Sequence, residues 1–497
     1  MSSSSLHKKE FILENILTPE SVKREYDKGR AYNESIGLYD TVRQNEDFVA
    51  GRQWEGVNAP DLDKPVMNFL KRVVNFCVSM LVSDDINVSV SPPEGSGFDE
   101  EYCSFLVSEI DKAIERGSLK SLSRDLLRSA AVDGDAALYF YTETALFENS
   151  GLSGSIPAGF GAKISCKILE NTEVIFGNPC EPDIQKQPYL IISERVYKDE
   201  PGGGTEPVHY GEPPDAGNTA VALTRFWRED GTVRFMKIKD GQILKPPTDT
   251  RYRRYPIAWL SWEKTKKSYH GQSMVTELIP NQIAVNKLFA MALRHQQLMA
   301  FPKIFYDRTK IRSWSNRVGE AIGVAGNPSE AVAVAFRAPD MSAQLLELID
   351  RTVRYSRDFM GANDAVLGNI KPDNASAILA VQRSSTAPLE LQKLSFYQFI
   401  EDCVRIMADI MRADYATREF YDRENQRVTV DFRLFDLDSL DLRVDVGASS
   451  YWSEIGQLET MDNLFSKGII TDAATYIQGI PAQYLRNKNK ILEGLKE

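Results

Sequence analysis

Hydrophobic and polar positions recur at helical spacing through the first part of the chain and then change period. Tyr26 to Val57 reads as one helix ending in an aromatic turn, Phe48-Val-Ala-Gly51-Arg-Gln-Trp54. Pro65 suits the first turn of a second helix that runs to Val82. Ile86, Val88 and Val90 alternate as a strand that Pro92 stops. Glu100 to Val132 returns to helical spacing, and after Asp133-Gly134 period-two patterns dominate: Ala136 to Tyr141, Lys163 to Leu169, Tyr189 to Tyr197, Val221 to Arg228 and Thr232 to Lys239. Asp230-Gly231 and Asp240-Gly241 predict tight hairpins, whose central residues need positive φ. Lys198 to Gly217, rich in Pro, Gly and acid, predicts a mobile surface loop.

The second half changes character. Met274, Leu278, Val285, Leu288, Phe289, Ala292 and Met299 keep one apolar face over Gly271 to Ala300, a helix of ~45 Å with Pro280 expected to kink its first third. An excursion follows over Phe301 to Pro339: a strand at Lys303 to Tyr306, a short helix at Thr309 to Val318 and a β-prone Ala331 to Arg337. A second long helix runs from Met341 to Met360, and the short connections predict that the two helices pair antiparallel with the excursion at their far end. Gly361 to Asn374 is a polar loop, and Asn374 caps a helical region from Ala375 to Tyr421 that bends at Pro388. A β-pair is expected from Gln426 to Phe435 and Leu440 to Val446, then short helices beyond Ser453.

Composition narrows the function classes. The 497 residues carry a formal charge of −11, with 42% hydrophobic and 26% charged positions, which fits about three folded, soluble units and excludes wholesale disorder. The longest apolar stretch, Val66 to Val82, is interrupted by Lys71 and Arg72, so no membrane span is expected, and Ser2 to Glu10 lacks the apolar region of a signal peptide. Five well-separated cysteines predict neither a disulfide framework nor a zinc ribbon, and synthesis in a reducing cytoplasm. The acidic balance argues against a tight duplex binder, which gains affinity by neutralising phosphates.

Catalytic patterns fail in turn. The histidines His7, His209, His270 and His295 hold no i, i+4 pair. Gly151 to Lys163 lacks the Gly-Lys-Ser/Thr of a phosphate loop, and Gly151-Leu-Ser153-Gly-Ser155 lacks the last glycine of a nucleophile elbow. Asp133 and Asp135 could ligate a cation, or Asp133-Gly134-Asp135 could be a helix stop, which its place between a helix and a strand favours. The expectation is a non-enzyme with no catalytic, metal or cofactor site.

Several phrases then acquire a shared meaning. Phe48-Val-Ala-Gly51-Arg-Gln-Trp54, Pro65-Val-Met-Asn68 and Asp133-Gly134-Asp135-Ala-Ala-Leu are followed by a long helix ending at Phe301-Pro302, an α/β excursion, a second helix, and a loop running into Asn374-Ala-Ser376-Ala-Ile378 and Ala387-Pro388-Leu389-Glu390. In this order they resemble the portal proteins of tailed double-stranded DNA bacteriophages, over about residues 25 to 450. The resemblance implies an α+β portal fold: an N-terminal arm at 1–25, a mixed α/β wing at 26–265, and a helical stem hairpin at 266–300 and 340–362. A small α/β clip at 301–339, a tunnel loop at 363–374, a long wing helix and β-pair at 375–450, and a C-terminal helical crown at 451–497 complete it.

It also implies a homo-oligomeric ring, dodecameric in the family, at a capsid vertex of the virion. Its partners would be the large terminase, a head-completion or tail adaptor, major capsid and scaffold proteins, and double-stranded DNA held transiently and without sequence preference. Candidate DNA-facing residues of the tunnel loop are Asn363, Asp364, Asn369, Lys371 and Asn374. Leu288, Phe289 and Ala292 are candidates for the intersubunit stem face, and Lys303, Arg308, Lys310, Arg312 and Trp314 for terminase or adaptor docking by the clip.

A basic belt, Arg251, Arg253, Arg254, Lys264, Lys266 and Lys267, is interleaved with Tyr252, Tyr255, Trp259 and Trp262. That pattern fits either a base-stacking platform or, as Ile257 to Trp262 favours, a buried aromatic strand with solvated ends. Another ring-forming neck or tail adaptor, and a nucleic-acid-processing enzyme with a degenerate site, remain as alternatives.

Overall fold

The computed structural model describes residues 17–82, 86–91, 100–143, 163–197, 219–301, 303–315, 322–327, 329, 333–336, 343–362, 387–415, 417–421, 427–435, 441–446, 461, 465–468 and 476–477. The fold is α+β, as the sequence predicts. The first helical stretch is two helices, α1 (Pro19–Ser35) and α2 (Leu38–Ala50). Thr18 and Ser21 cap α1 reciprocally, and Gly37, at φ 69°, breaks the chain before α2. The next helix, α3 (Phe69–Leu81), starts four residues after Pro65, because Asn68 takes the capping place: its side chain accepts from the Lys71 N–H and donates to the Val49 carbonyl. The expected helix over residues 100 to 132 likewise divides into α4 (Glu100–Arg116) and α5 (Leu119–Asp133), at Gly117 and the positive-φ Ser118.

Two antiparallel sheets follow. The three-stranded sheet has the order β3-β2-β9, from β2 (Asp135–Glu143), β3 (Lys163–Glu170) and β9 (Ile257–Ser261). The five-stranded sheet runs β4 (Val174–Phe176), β5 (Tyr189–Tyr197), β6 (Thr219–Glu229), β7 (Thr232–Lys239) and β8 (Gln242–Asp249). Asp230-Gly231 and Asp240-Gly241 turn β6 into β7 and β7 into β8 with positive φ at all four residues, as their residue types predict. The expected surface loop at 198–217 lies outside the described residues.

Helix α6 (Met274–Ala300) is continuous through Pro280 and spans ~40 Å. Beyond it, β10 (Lys303–Tyr306) pairs antiparallel with β11 (Ala333–Phe336). The short helix expected from Thr309 is corrected: Asp307 accepts from both the backbone N–H and the hydroxyl of Thr309, making a local turn, and Ile311 then bridges to Val324. Helix α7 (Ala343–Phe359) returns beside α6. Asn281, near the start of α6, donates to Ser356, near the end of α7, so the two helices are antiparallel.

Helix α8 (Glu390–Asp414) follows a short 3₁₀ turn at Ala387–Leu389, and residues 363–386 lie outside the described set. The end of the expected helix is instead strand β12 (Thr417–Tyr421), paired with β13 (Arg427–Asp431). Strand β14 (Asp441–Val446) pairs not with β13, as expected, but with β1 (Ile86–Ser91), so segments from opposite halves of the chain are joined. Local sequence marks these strands but cannot choose partners hundreds of positions away. Most of the expected C-terminal helices lie outside the described residues.

One core joins α2 to α5, the three-stranded sheet, the first half of α6 and the buried face of α8. A smaller cluster of Val22, Ile175, Ile191, Leu223, Met236 and Ile238 fastens α1 to the five-stranded sheet.

Candidate interaction surfaces

The long hairpin is anchored at its base by buried amides rather than by apolar packing alone. Asn286 donates to Gln53 Oε1 at 2.6 Å and accepts from the Met67 N–H at 3.1 Å and from Gln282 Nε2 at 3.0 Å. Gln282 also donates to the Met67 carbonyl, and Asn45 donates to Thr276 and to the Val132 carbonyl. Gln282, Asn286 and Asn45 are buried, and the Asn286–Gln53, Gln282–Asn286 and Asn45–Val132 bonds are shielded from competing water. Ser273 caps α6 by accepting from the Val275 N–H while donating to Ala131 and Val132 carbonyls, which fixes the helix to the end of α5.

Further along, the hairpin presents apolar side chains to solvent. Among the expected intersubunit residues, Ala292 is buried within the chain, while Leu288 and Phe289 are half-buried against its own core. The exposed apolar positions of the hairpin are Met291 and Leu298 on α6 and Leu346, Leu348, Tyr355 and Phe359 on α7, with Phe359 78% exposed. Exposed apolar side chains in this number are the kind of surface that marks interaction sites in proteins.

At the hairpin's far end, Arg308 and Arg312 are exposed, Lys310 is half-buried, and Trp314 is half-buried with its ring 5.8 Å from that of Tyr306. Lys303 opens strand β10 opposite Phe336. Phe301 and Phe305 are also exposed here, two aromatic residues that a search for positive charge passes over. Asn363, Asp364, Asn369, Lys371 and Asn374 lie outside the described residues.

The basic belt divides. Its aromatic residues are core: Tyr255 is fully buried, Tyr252 and Trp262 nearly so, and Trp259 Nε1 donates to Ser261 and to the Tyr269 carbonyl. With Tyr252, Tyr255 and Trp262 buried and Trp259 half-buried, the belt presents no row of open rings for stacking bases. The backbone of the belt is clamped on α8, where buried Asp409 accepts from the N–H groups of Arg253 and Arg254 at 2.7 and 2.9 Å. The Tyr252 hydroxyl donates to Asp414, and Arg251 pairs with the same carboxylate at 3.5 Å. Burial, helped by the Asp414 charge, pushes the Tyr252 phenol well above its ordinary range. Lys264, Lys266 and Lys267 stand exposed beyond β9.

The Asp133-Gly134-Asp135 phrase is a helix stop, as its setting favours, but with a chemistry that its spacing does not reveal. Gly134, at φ 97°, ends α5 where a side chain would meet the Gly271 carbonyl at 2.8 Å. Asp135 is buried, accepts from the Gly271 N–H at 2.8 Å, and lies 3.0 Å from His270 Nδ1. His270 Nε2 in turn faces Asn33, which also accepts from Tyr269. This buried cluster ties α1, β2 and the approach to α6 together, which gives its histidine a structural role. The signal was present only as a lone His beside Gly271. Burial, with the charge of Glu46 adding to it, raises the Asp133 carboxyl to about 8, and burial raises Glu173 to about 7. Among the described residues no group of three or more metal-ligating side chains occurs, and no helix is long and apolar enough to cross a membrane.

Residues 198–430, just under half of the chain, match the family model described as Phage P22-like portal protein. The match begins before β6 and ends within β13, so it takes in the belt, the whole hairpin with its excursion, and α8. The resemblance seen in the order of motifs is thus borne out over this span. A chain of the solved structure "Virion of native gene transfer agent (GTA) particle" aligns with 10% identity and a TM-score of 0.41, covering 88% of this chain and 94% of its own. No curated protein matches by sequence.

Proposed function

We propose that this chain is a portal subunit: copies close into a ring at one capsid vertex, through which double-stranded DNA passes during packaging and ejection. The observation that carries the reading is the family match across the hairpin and its excursion. In this assignment residues 26–265 form the wing, α6 and α7 the stem, 301–339 the clip and 363–374 the tunnel loop. Heterologous contacts close into rings when their rotation fits, and the exposed Met291, Leu298, Tyr355 and Phe359 supply apolar area for such contacts. The clip's exposed Arg308, Arg312 and Phe305 would offer cations and an aromatic to a terminase or adaptor. A formal charge of −11 suits a conduit, because excess acid with sparse basic belts lets a polyanion slide without being held. Portal proteins are structural, and no enzymatic activity is assigned.

Negative-stain imaging with light scattering of the purified chain tests this. Rings with a central hole of duplex width are expected; a monomer at every concentration, with scaffold protein present, would overturn it. Deleting Gly368 to Lys371 should leave rings intact while impairing DNA retention, and unchanged packaging would remove the loop from that role.

A further inference from the structure

A cleft of about 390 Å³ opens between the 182–185 turn, strand β9 with its basic flank, and α8. Its walls bring together groups that leave bonding capacity unused. Arg254 is half-buried, and among the described residues its guanidinium makes no hydrogen bond or ion pair, although its backbone N–H is held by Asp409. Asp402 stands two turns before Asp409 on the same face of α8 and lines the same cleft, and among the described residues its one hydrogen bond is a 3.5 Å bond from Gln398. Burial raises the Asp402 carboxyl while the nearby Arg254 charge opposes the rise, so the two groups sense each other without pairing. Asp402 is carried by α8 and Asp409 of the same helix holds the Arg254 backbone, and the cleft keeps a cationic donor and an anionic acceptor apart. Lys264, exposed at the rim, and the half-buried edge of Trp259 complete the lining.

We propose that this cleft receives a short extended segment of another protein, one carrying an Asp or Glu side chain. A peptide unit offers a carbonyl to Arg254 and an N–H to Asp402 at once, which fills the gap between them with matched bonds. The acidic side chain reaches Lys264 at the rim. A phosphate backbone is disfavoured, because Asp402 and Asp183 in the walls repel a polyanion, and Asp402 would keep no donor but the 3.5 Å bond from Gln398. The cavity holds about two or three residues. That is far below the roughly 1,000 Å² of a lasting subunit interface, so it suits a separate, reversible partner rather than a second copy of this chain.

The proposal does not depend on the ring reading. The test places the photo-reactive amino acid benzoyl-phenylalanine at Thr265, on the cleft wall, in the full chain within cells that make the protein natively, with a control at exposed Asp61 on another surface. Irradiation should give an adduct at position 265 alone. Peptide mapping should place it on one short segment of a different protein, with an acidic residue within three positions. Arg254→Gln and Asp402→Asn should each reduce the adduct at least tenfold, and Lys264→Gln, at an exposed position that cannot disturb folding, should reduce it several-fold. No adduct above the control, an adduct on nucleic acid or on a second copy of this chain, or an adduct unaffected by Lys264→Gln would overturn the proposal.

Discussion

Replacing Asn286 by Ala tests whether buried amides hold the base of the long hairpin. The change removes three hydrogen bonds, but their consequences differ. Gln282 Nε2 keeps its bond to the Met67 carbonyl, whereas the Met67 N–H and Gln53 Oε1 lose the partner they have in Asn286. An orphaned buried group costs roughly 1–3 kcal/mol, so two cost about 4 kcal/mol, while the better helix propensity of Ala over Asn returns about 0.6 kcal/mol. The expected net loss is therefore about 3 kcal/mol. Urea unfolding followed by fluorescence, with hydrogen exchange of residues 65–69 and 282–290, measures it; exchange there should quicken before it does in α8. Asn281→Ala, which loses a single half-buried bond to Ser356, should cost about 1 kcal/mol. A loss below 1 kcal/mol for Asn286→Ala, or one equal to that of Asn281→Ala, would show that apolar packing alone positions the hairpin.

Two further outcomes follow from the same geometry. Asp133 and Glu173 have carboxyl groups raised to about 8 and about 7, so the folded chain binds protons that the unfolded chain has already released. Stability should then fall as pH rises from about 4 to about 8, and Asp133→Asn should flatten that decline in melting temperature; an unchanged slope would refute the burial argument. Gly134→Ala forces a side chain into positive φ and against the Gly271 carbonyl, so it should lower stability by at least ~2 kcal/mol in thermal melts, whereas Gly231→Ala, with open space around it, should cost about 1 kcal/mol.

The elements were legible where a local cause decides them. Asp-Gly pairs predicted both hairpins, and apolar spacing predicted α6, α7 and β9. Residue types also anticipated the buried aromatic strand within the basic belt, because the continuous apolar run Ile257 to Leu260 suits a strand covered on both faces. Helix ends were misplaced where a capping side chain outranked a proline, as Asn68 does over Pro65. The short helix expected after Thr309 failed because the Asp307 side chain captures the backbone N–H that a helix would need.

What the sequence determined by itself is the set of short-range choices: periods, caps, turns, the acid excess and the order of motifs that matches a portal family. Tertiary structure alone decided which strands pair, since β14 finds β1 and not its neighbour β13. It also decided which apolar faces stay open, since Ala292 is covered by its own chain while Phe359 is not. The Asp135–His270 cluster and the Arg254–Asp402 cleft belong to the same class. Their members lie more than a hundred positions apart, and only the fold brings such groups into one site.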